Sequence, residues 1–122
     1  MRSSIARRAA GITAAAAAVV LGVPGAASAA AGTVPVGPGY GLQCVGGYAT
    51  GSVRGEGRIV TGPGANFQLR YANQQVAGSG MQVAAFAVEL RPGLPGWRGP
   101  GHYEFCARNN GSFGTAFIAI TT

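Results

Sequence analysis

The sequence contains no lysine and no aspartate, and its 122 residues include only three glutamates, one histidine and two cysteines. Catalysis by side chains needs a nucleophile with a base, a pair of carboxylates or a metal. Without aspartate, a hydrolytic triad would have to join His102 to a glutamate. The serines at 52, 79 and 112 all lie outside a Gly-x-Ser-x-Gly turn. These shortages predict a protein that is not an enzyme.

The nearest approach to a catalytic pair is His102 with Glu104, two residues apart in a predicted strand and so on one face. Such a pair can act as a general base with its orienting group, but on the polar side of a strand it is more often only solvated. Two cysteines and one histidine are too few ligands for a metal site. We therefore expect no catalytic residue, no metal and no cofactor.

A single long apolar run, 9–23, follows three arginines near the N-terminus. Ala27-Ser28-Ala29 comes soon after it and has the small-x-small pattern that signal peptidase accepts. We interpret residues 1–29 as a cleaved signal peptide, with a second acceptable site after Ala31, exported by the general secretory or the twin-arginine route. Because the run is shorter than the roughly twenty residues that span a bilayer, we expect a secreted, extracellular protein without a membrane span.

Loss of the signal leaves six arginines against three glutamates, a net charge of +3. The arginines are spread along the chain with carboxylates among them, so nucleic acid is not an expected partner. The composition, rich in alanine, glycine, valine and arginine, is typical of a GC-rich bacterial gene.

The only two cysteines, Cys44 and Cys106, are 62 positions apart. Export places them in an oxidising compartment, where one disulfide is the expected state. A chain of some ninety residues buries a thin core. Closing this loop should stabilise the fold by about 4 kcal/mol in the chain-entropy description.

Glycine is abundant, at 22 positions, and this abundance indicates the class of secondary structure. Each interior glycine costs a helix about 1 kcal/mol, and no helical period runs without one after the signal. Short apolar or alternating segments separated by glycine and proline instead predict six or seven strands: 40–45, 48–54, 58–61, 66–72, 81–90, 102–108 and 112–120. Their spacing predicts an all-β antiparallel sandwich or small barrel.

Three local expectations follow from the same patterns. Asn109-Asn110-Gly111 is a strong turn signal and predicts a hairpin between the last two strands. Residues 81–90 are apolar on both faces, as in a central strand. Residues 30–39 contain two prolines and predict an extended lead outside the sheets, so that 40–122 forms a single domain.

The segment 91–101 (RPGLPGWRGPG) is long for a connection in so small a domain and carries the only tryptophan, Trp97. Its prolines stiffen a loop that presents Trp97 beside Arg98, residue types that dominate binding hot spots. We predict Arg91, Trp97 and Arg98 as binding residues. Packing of Trp97 over one end of the core is the more usual arrangement for a loop tryptophan.

The sequence thus predicts a small secreted, non-enzymatic binding or surface-associated β domain whose partner is an unknown extracellular protein or polysaccharide. An alternative is an inhibitor of an extracellular hydrolase that acts through the 91–101 loop. A weaker alternative is carbohydrate binding by stacking on Trp97. The exposure of the Trp97 ring separates the loop hypotheses from simple packing.

Overall fold

A computed structural model describes residues 28–122, which form two four-stranded antiparallel sheets packed face to face. The strands are β1 (Ala29–Val36), β2 (Gln43–Ala49), β3 (Val53–Thr61), β4 (Asn66–Tyr71), β5 (Gln74–Gly78), β6 (Ala85–Leu90), β7 (Gly101–Arg108) and β8 (Gly114–Thr121). The first sheet has the order β1-β8-β3-β6 and the second β2-β7-β4-β5. The expected all-β sandwich is confirmed. Most of the predicted signal peptide, residues 1–27, lies outside the described residues.

The connections define two ends of the sandwich. At one end, the loops 37–42, 62–65, 79–84 and 109–113 each cross from one sheet to the other; we call it the Phe113 end. At the opposite end lie the loops that follow β2, β4 and β6, and we call it the Trp97 end. Within residues 28–122 there is no helix that could cross a membrane.

The sheets meet through two glycines of β3 that lie under aromatic rings. A Cβ atom on Gly55 would collide with the ring of Phe105 from β7, and one on Gly57 would lie 2.6 Å from Cδ1 of Phe67. The Phe67 and Phe105 rings are parallel with centroids 6.0 Å apart, and Phe86 stacks on Phe105 at 6.4 Å. We call this arrangement the glycine–phenylalanine contact. Glycine is required here by the close approach of the rings, since neither backbone has a positive φ.

The predicted disulfide between Cys44 and Cys106 is present. The two residues face each other directly in the β2–β7 ladder, with Cα atoms 4.0 Å apart. Phe105 lies in the core, and side chains alternate along a strand, so the disulfide lies on the outer face of the second sheet. It therefore joins an edge strand to its neighbour without taking part in the contact between sheets.

The structure has eight strands where the sequence predicted six or seven. The three predicted segments 40–45, 48–54 and 58–61 form only two strands, β2 and β3, because the glycines at 46, 47, 55 and 57 lie inside strands rather than between them. Two further strands, β1 and β5, were not predicted.

Ala29–Val36, placed by its prolines in an extended lead, instead forms β1 and pairs with β8. Proline has no N–H to donate to a neighbouring strand. Because β1 is an edge strand, the nitrogen of Pro35 can lie on the open side of the sheet, where no hydrogen bond of the ladder is lost. Strand β5 follows a two-residue turn in which Ala72 and Asn73 have φ of 51° and 64°. That is the geometry of a type I′ hairpin turn, without its usual glycine.

Two local expectations are wrong. The strand within 81–90 is shorter, Ala85–Leu90, and lies at the edge of the first sheet rather than in its centre. Strands β7 and β8 lie in different sheets and form no hairpin. The side chain Oδ1 of Asn109 accepts hydrogen bonds from the N–H groups of Gly111 and Ser112, at 2.8 and 2.9 Å. This turn directs the chain across the sandwich.

The glycine–phenylalanine contact predicts a specific sensitivity to one methyl group. Gly55→Ala should lower the free energy of unfolding by about 1–3 kcal/mol, because the ring of Phe105 must move. Gly32→Ala in β1 is the matched control, since no atom lies within 4 Å of a Cβ at that position. Denaturant unfolding of both oxidised variants measures the difference. A Gly55→Ala protein as stable as the parent would contradict the contact.

Candidate functional site

The first part of the 91–101 loop forms two consecutive tight turns, which span 91–94 and 94–97. In each, the N–H of the last residue donates to the carbonyl of the first, at 3.0 and 3.2 Å. Proline-glycine pairs occupy the centres, and the glycines at 93 and 96 have φ of 95° and 97°. Proline followed by a glycine of positive φ is the signature of a type II turn. The loop backbone is therefore specified by its own sequence.

A buried tyrosine fixes the next part of the loop. The hydroxyl of Tyr103, near the start of β7, accepts a hydrogen bond from the N–H of Arg98 at 3.0 Å and donates one to the carbonyl of Gly99 at 2.9 Å. We call these two bonds the Tyr103 bridge. Burial raises the pKa of the Tyr103 hydroxyl above its ordinary value of 10.0, and the bond from Arg98 opposes this shift. The hydroxyl therefore stays neutral, as a donor to Gly99 must.

The structure places Trp97 against the edge of the core. Its ring stacks on Tyr103 with centroids 5.6 Å apart and planes 14° apart, and the side chain is only partly exposed. Arg98 next to it is exposed, and so is Leu94, at 39% of its full area. The loop thus combines a packed ring with two outward side chains. Sequence reasoning missed Leu94, because a lone leucine between proline-glycine pairs carries no distinguishing pattern.

The third predicted residue, Arg91, lies at the foot of the loop. Its Nη1 is 3.2 Å from Oε2 of Glu89 in an exposed ion pair. Part of its charge is therefore already balanced within the chain, and an exposed pair of this kind is weak. Binding by Arg91, Trp97 and Arg98 stays a prediction.

Other groups that bear chemistry lie on the outer face of the second sheet. His102 and Glu104 both belong to β7, and Tyr48 of β2 is opposite His102. Potential ligand atoms of Glu104, Cys44 and Cys106 lie within 4.8 Å of one another. Both sulfur atoms are in the disulfide, so neither is a thiolate that could hold a metal.

A shallow hollow of about 360 Å³ lies on the first sheet. It is lined by Glu56, Gly57, Arg58, Ala85, Phe86, Ala87 and Phe117. The guanidinium of Arg58 lies 4.8 Å from the ring centroid of Phe117, a cation–π contact, and Glu56 pairs with Arg54 at 3.3 Å. The two charged side chains that line the hollow, Arg58 and Glu56, thus already contact other side chains of the same chain.

No family model matches the chain, and no curated protein matches it. A search of solved structures returns a crystal structure of PliG from Aeromonas hydrophila, described as a periplasmic lysozyme inhibitor of g-type lysozyme. The match has a TM-score of 0.48 and 12% sequence identity and covers 84% of this chain and 90% of that one. A match at this level establishes no common function.

The Tyr103 bridge predicts a stability effect with a defined pH dependence. Tyr103→Phe removes both hydrogen bonds and should lower the free energy of unfolding by about 1–2 kcal/mol at neutral pH. Because the pKa of Tyr103 is raised in the folded state, its contribution is complete below the unfolded value of 10.0 and is lost as the pH rises through the folded pKa. Denaturant unfolding at a series of pH values, from neutral to near the pKa of Tyr103 in the folded state, measures both effects.

Tyr71→Phe is the control for loss of a hydroxyl, because the Tyr71 hydroxyl is 3.5 Å from the carbonyl of Pro100 and makes at most a weak bond. We expect a smaller loss than for Tyr103→Phe. Equal losses in the two variants, or an unchanged alkaline dependence in Tyr103→Phe, would show that the bridge does not hold the loop.

Proposed function

We propose that this protein is an exported, non-catalytic binding domain that contacts its partner through the 91–101 loop. The observation that carries the proposal is the Tyr103 bridge, which ties an exposed loop containing the only tryptophan to a fully buried core residue. The contact surface comprises Leu94, Arg98 and the exposed part of Trp97.

A loop that is ordered before binding loses little conformational entropy when the partner arrives. The two type II turns and the Tyr103 bridge together order the backbone from 91 to 99. Glycine alone would lose much freedom on ordering, but each turn glycine follows a proline, whose fixed φ already restricts the chain. The loop is therefore suited to binding as a rigid body.

The chemistry of the surface indicates an extracellular protein as the partner. Leu94 offers an apolar contact and Arg98 a guanidinium, the side chain that pairs best with a carboxylate. Among residues 28–122, the ion pairs join Arg54 to Glu56 and Arg91 to Glu89, and neither uses Arg98. The disulfide agrees with a location in an oxidising compartment outside the cytoplasm.

The second candidate is an inhibitor of an extracellular hydrolase. A loop that occupies an enzyme cleft must keep its shape there, and the hydrogen-bonded backbone of 91–99 favours this use. Carbohydrate stacking is less favoured, because one face of the Trp97 ring lies against Tyr103 and only the remainder is open to a sugar. Such stacking stays a weaker alternative.

The test begins with capture of a partner from culture medium by the immobilised oxidised protein, followed by affinity measurements on purified variants. Arg98→Ala and Leu94→Ala should each weaken binding by about tenfold or more, because truncated hot-spot residues affect affinity first. Arg98→Ala leaves the Tyr103 bridge intact, since only the backbone N–H of Arg98 takes part. Arg54→Ala, an exposed arginine on the first sheet, is the matched control.

A panel of extracellular glycosidases and proteases, assayed with the same variants, separates inhibition from simple binding. An inhibitor should lose potency in Arg98→Ala and keep it in Arg54→Ala. If neither Arg98→Ala nor Leu94→Ala lowers the affinity for the captured partner, the loop is not the binding surface and Trp97 serves only to cover the core.

A further inference from the structure

The Phe113 end carries most of the large apolar side chains that face solvent. Six large hydrophobic residues of the described part of the chain are exposed, and four belong to this end. They are Phe113 at 67%, Met81 at 66%, Val60 at 49% and Tyr40 at 48% of their full areas. Scattered apolar residues are normal on a protein surface, whereas a concentration at one end indicates an interaction site.

Tyr40, Met81 and Phe113 stand on loops that are held together, and Val60 lies near the end of β3. Oδ1 of Asn109 accepts a hydrogen bond from Nε2 of Gln82 at 3.2 Å, and its Nδ2 donates to the carbonyl of Gly64 at 2.9 Å. One buried asparagine therefore joins three of the four loops. The fourth approaches closely, because a Cβ on Gly37 would collide with the ring of Phe113. Tyr40 in that loop meets Phe113 edge-on, with centroids 6.3 Å apart.

The four loops of this end contain no charged residue. The nearest charges are positive: Arg108 is the last residue of β7, and Arg58 lies near the end of β3. The glutamates lie farther from these loops, and those at 56 and 89 are paired with arginines. The result is an uncharged apolar end bordered by cations.

We propose that the Phe113 end docks on the surface of an anionic phospholipid membrane. Uncharged loops enter the headgroup region without the cost of desolvating a charge. Tyrosine is enriched at membrane interfaces, and the arginines that border the apolar residues, Arg58 exposed and Arg108 half-buried, are attracted to anionic lipid. Tyr40, Met81 and Phe113 stand on three separate loops, an arrangement that suits a fluid surface better than a shaped pocket. Docking there leaves the 91–101 loop, at the opposite end, directed away from the membrane.

The test uses co-sedimentation of the purified, oxidised protein with vesicles of phosphatidylglycerol mixed with phosphatidylcholine, and with vesicles of phosphatidylcholine alone. The intact mass is checked first, because a retained apolar run 9–23 would itself bind lipid. We expect binding to the anionic vesicles that weakens as salt is added. Tyr40→Ser and Met81→Ser should each lower the bound fraction by about fivefold or more.

Tyr48→Ser is the matched control, because Tyr48 is exposed at 60% but lies in β2 toward the Trp97 end. It should bind like the parent. Thermal unfolding of each variant verifies the fold, and Met81 is the decisive site because its side chain is outside the Tyr40–Phe113 ring contact. Failure of the parent to sediment, equal binding to both vesicle types, or a loss in Tyr48→Ser as large as in Tyr40→Ser would overturn the proposal. The proposal would also be overturned if the Phe113 end bound a protein and did not bind vesicles.

Discussion

The structure depends on the close approach of two sheets at a pair of glycines. Gly55 and Gly57 remove the side chains that β3 would otherwise direct inward, and the rings of Phe105 and Phe67 take that space. With Phe86 they form a row of parallel rings between the sheets. A domain of this size buries little surface on folding. The three rings packed in one place therefore account for much of the apolar area that the core buries. The disulfide adds to this from outside the core.

Both candidate surfaces follow from that core. Tyr103 is two residues from Phe105 on the same strand and faces the same way, so the packing that positions the ring also positions the hydroxyl that holds Arg98 and Gly99. At the other end, β7 leads directly into Asn109, the buried residue that joins the loops bearing Phe113 and Met81. One central strand thus orders the loops at both ends.

The sequence predicted the fold class, the disulfide and the 91–101 loop, because alternation, cysteine pairing after export and proline-glycine turns are local or compositional signals. It did not predict β1, since the tolerance of Pro35 depends on an edge position that only the whole sheet defines. The expected β7–β8 hairpin failed for a similar reason, as Asn109 forms its turn across the sandwich. The Tyr103 bridge arises from the 91–101 loop folding back on β7, and the apolar end arises from contacts between loops; no local pattern records either.

The claim that the glycine–phenylalanine contact organises the domain is tested most directly by a double-mutant cycle of Gly55→Ala with Phe105→Leu. The smaller, flexible leucine can move aside from an added methyl group, so the cost of Gly55→Ala should fall by about 1 kcal/mol or more in the Phe105→Leu background. Free energies of unfolding of the four oxidised proteins give this coupling. Additive effects, equal within about 0.3 kcal/mol, would contradict the account.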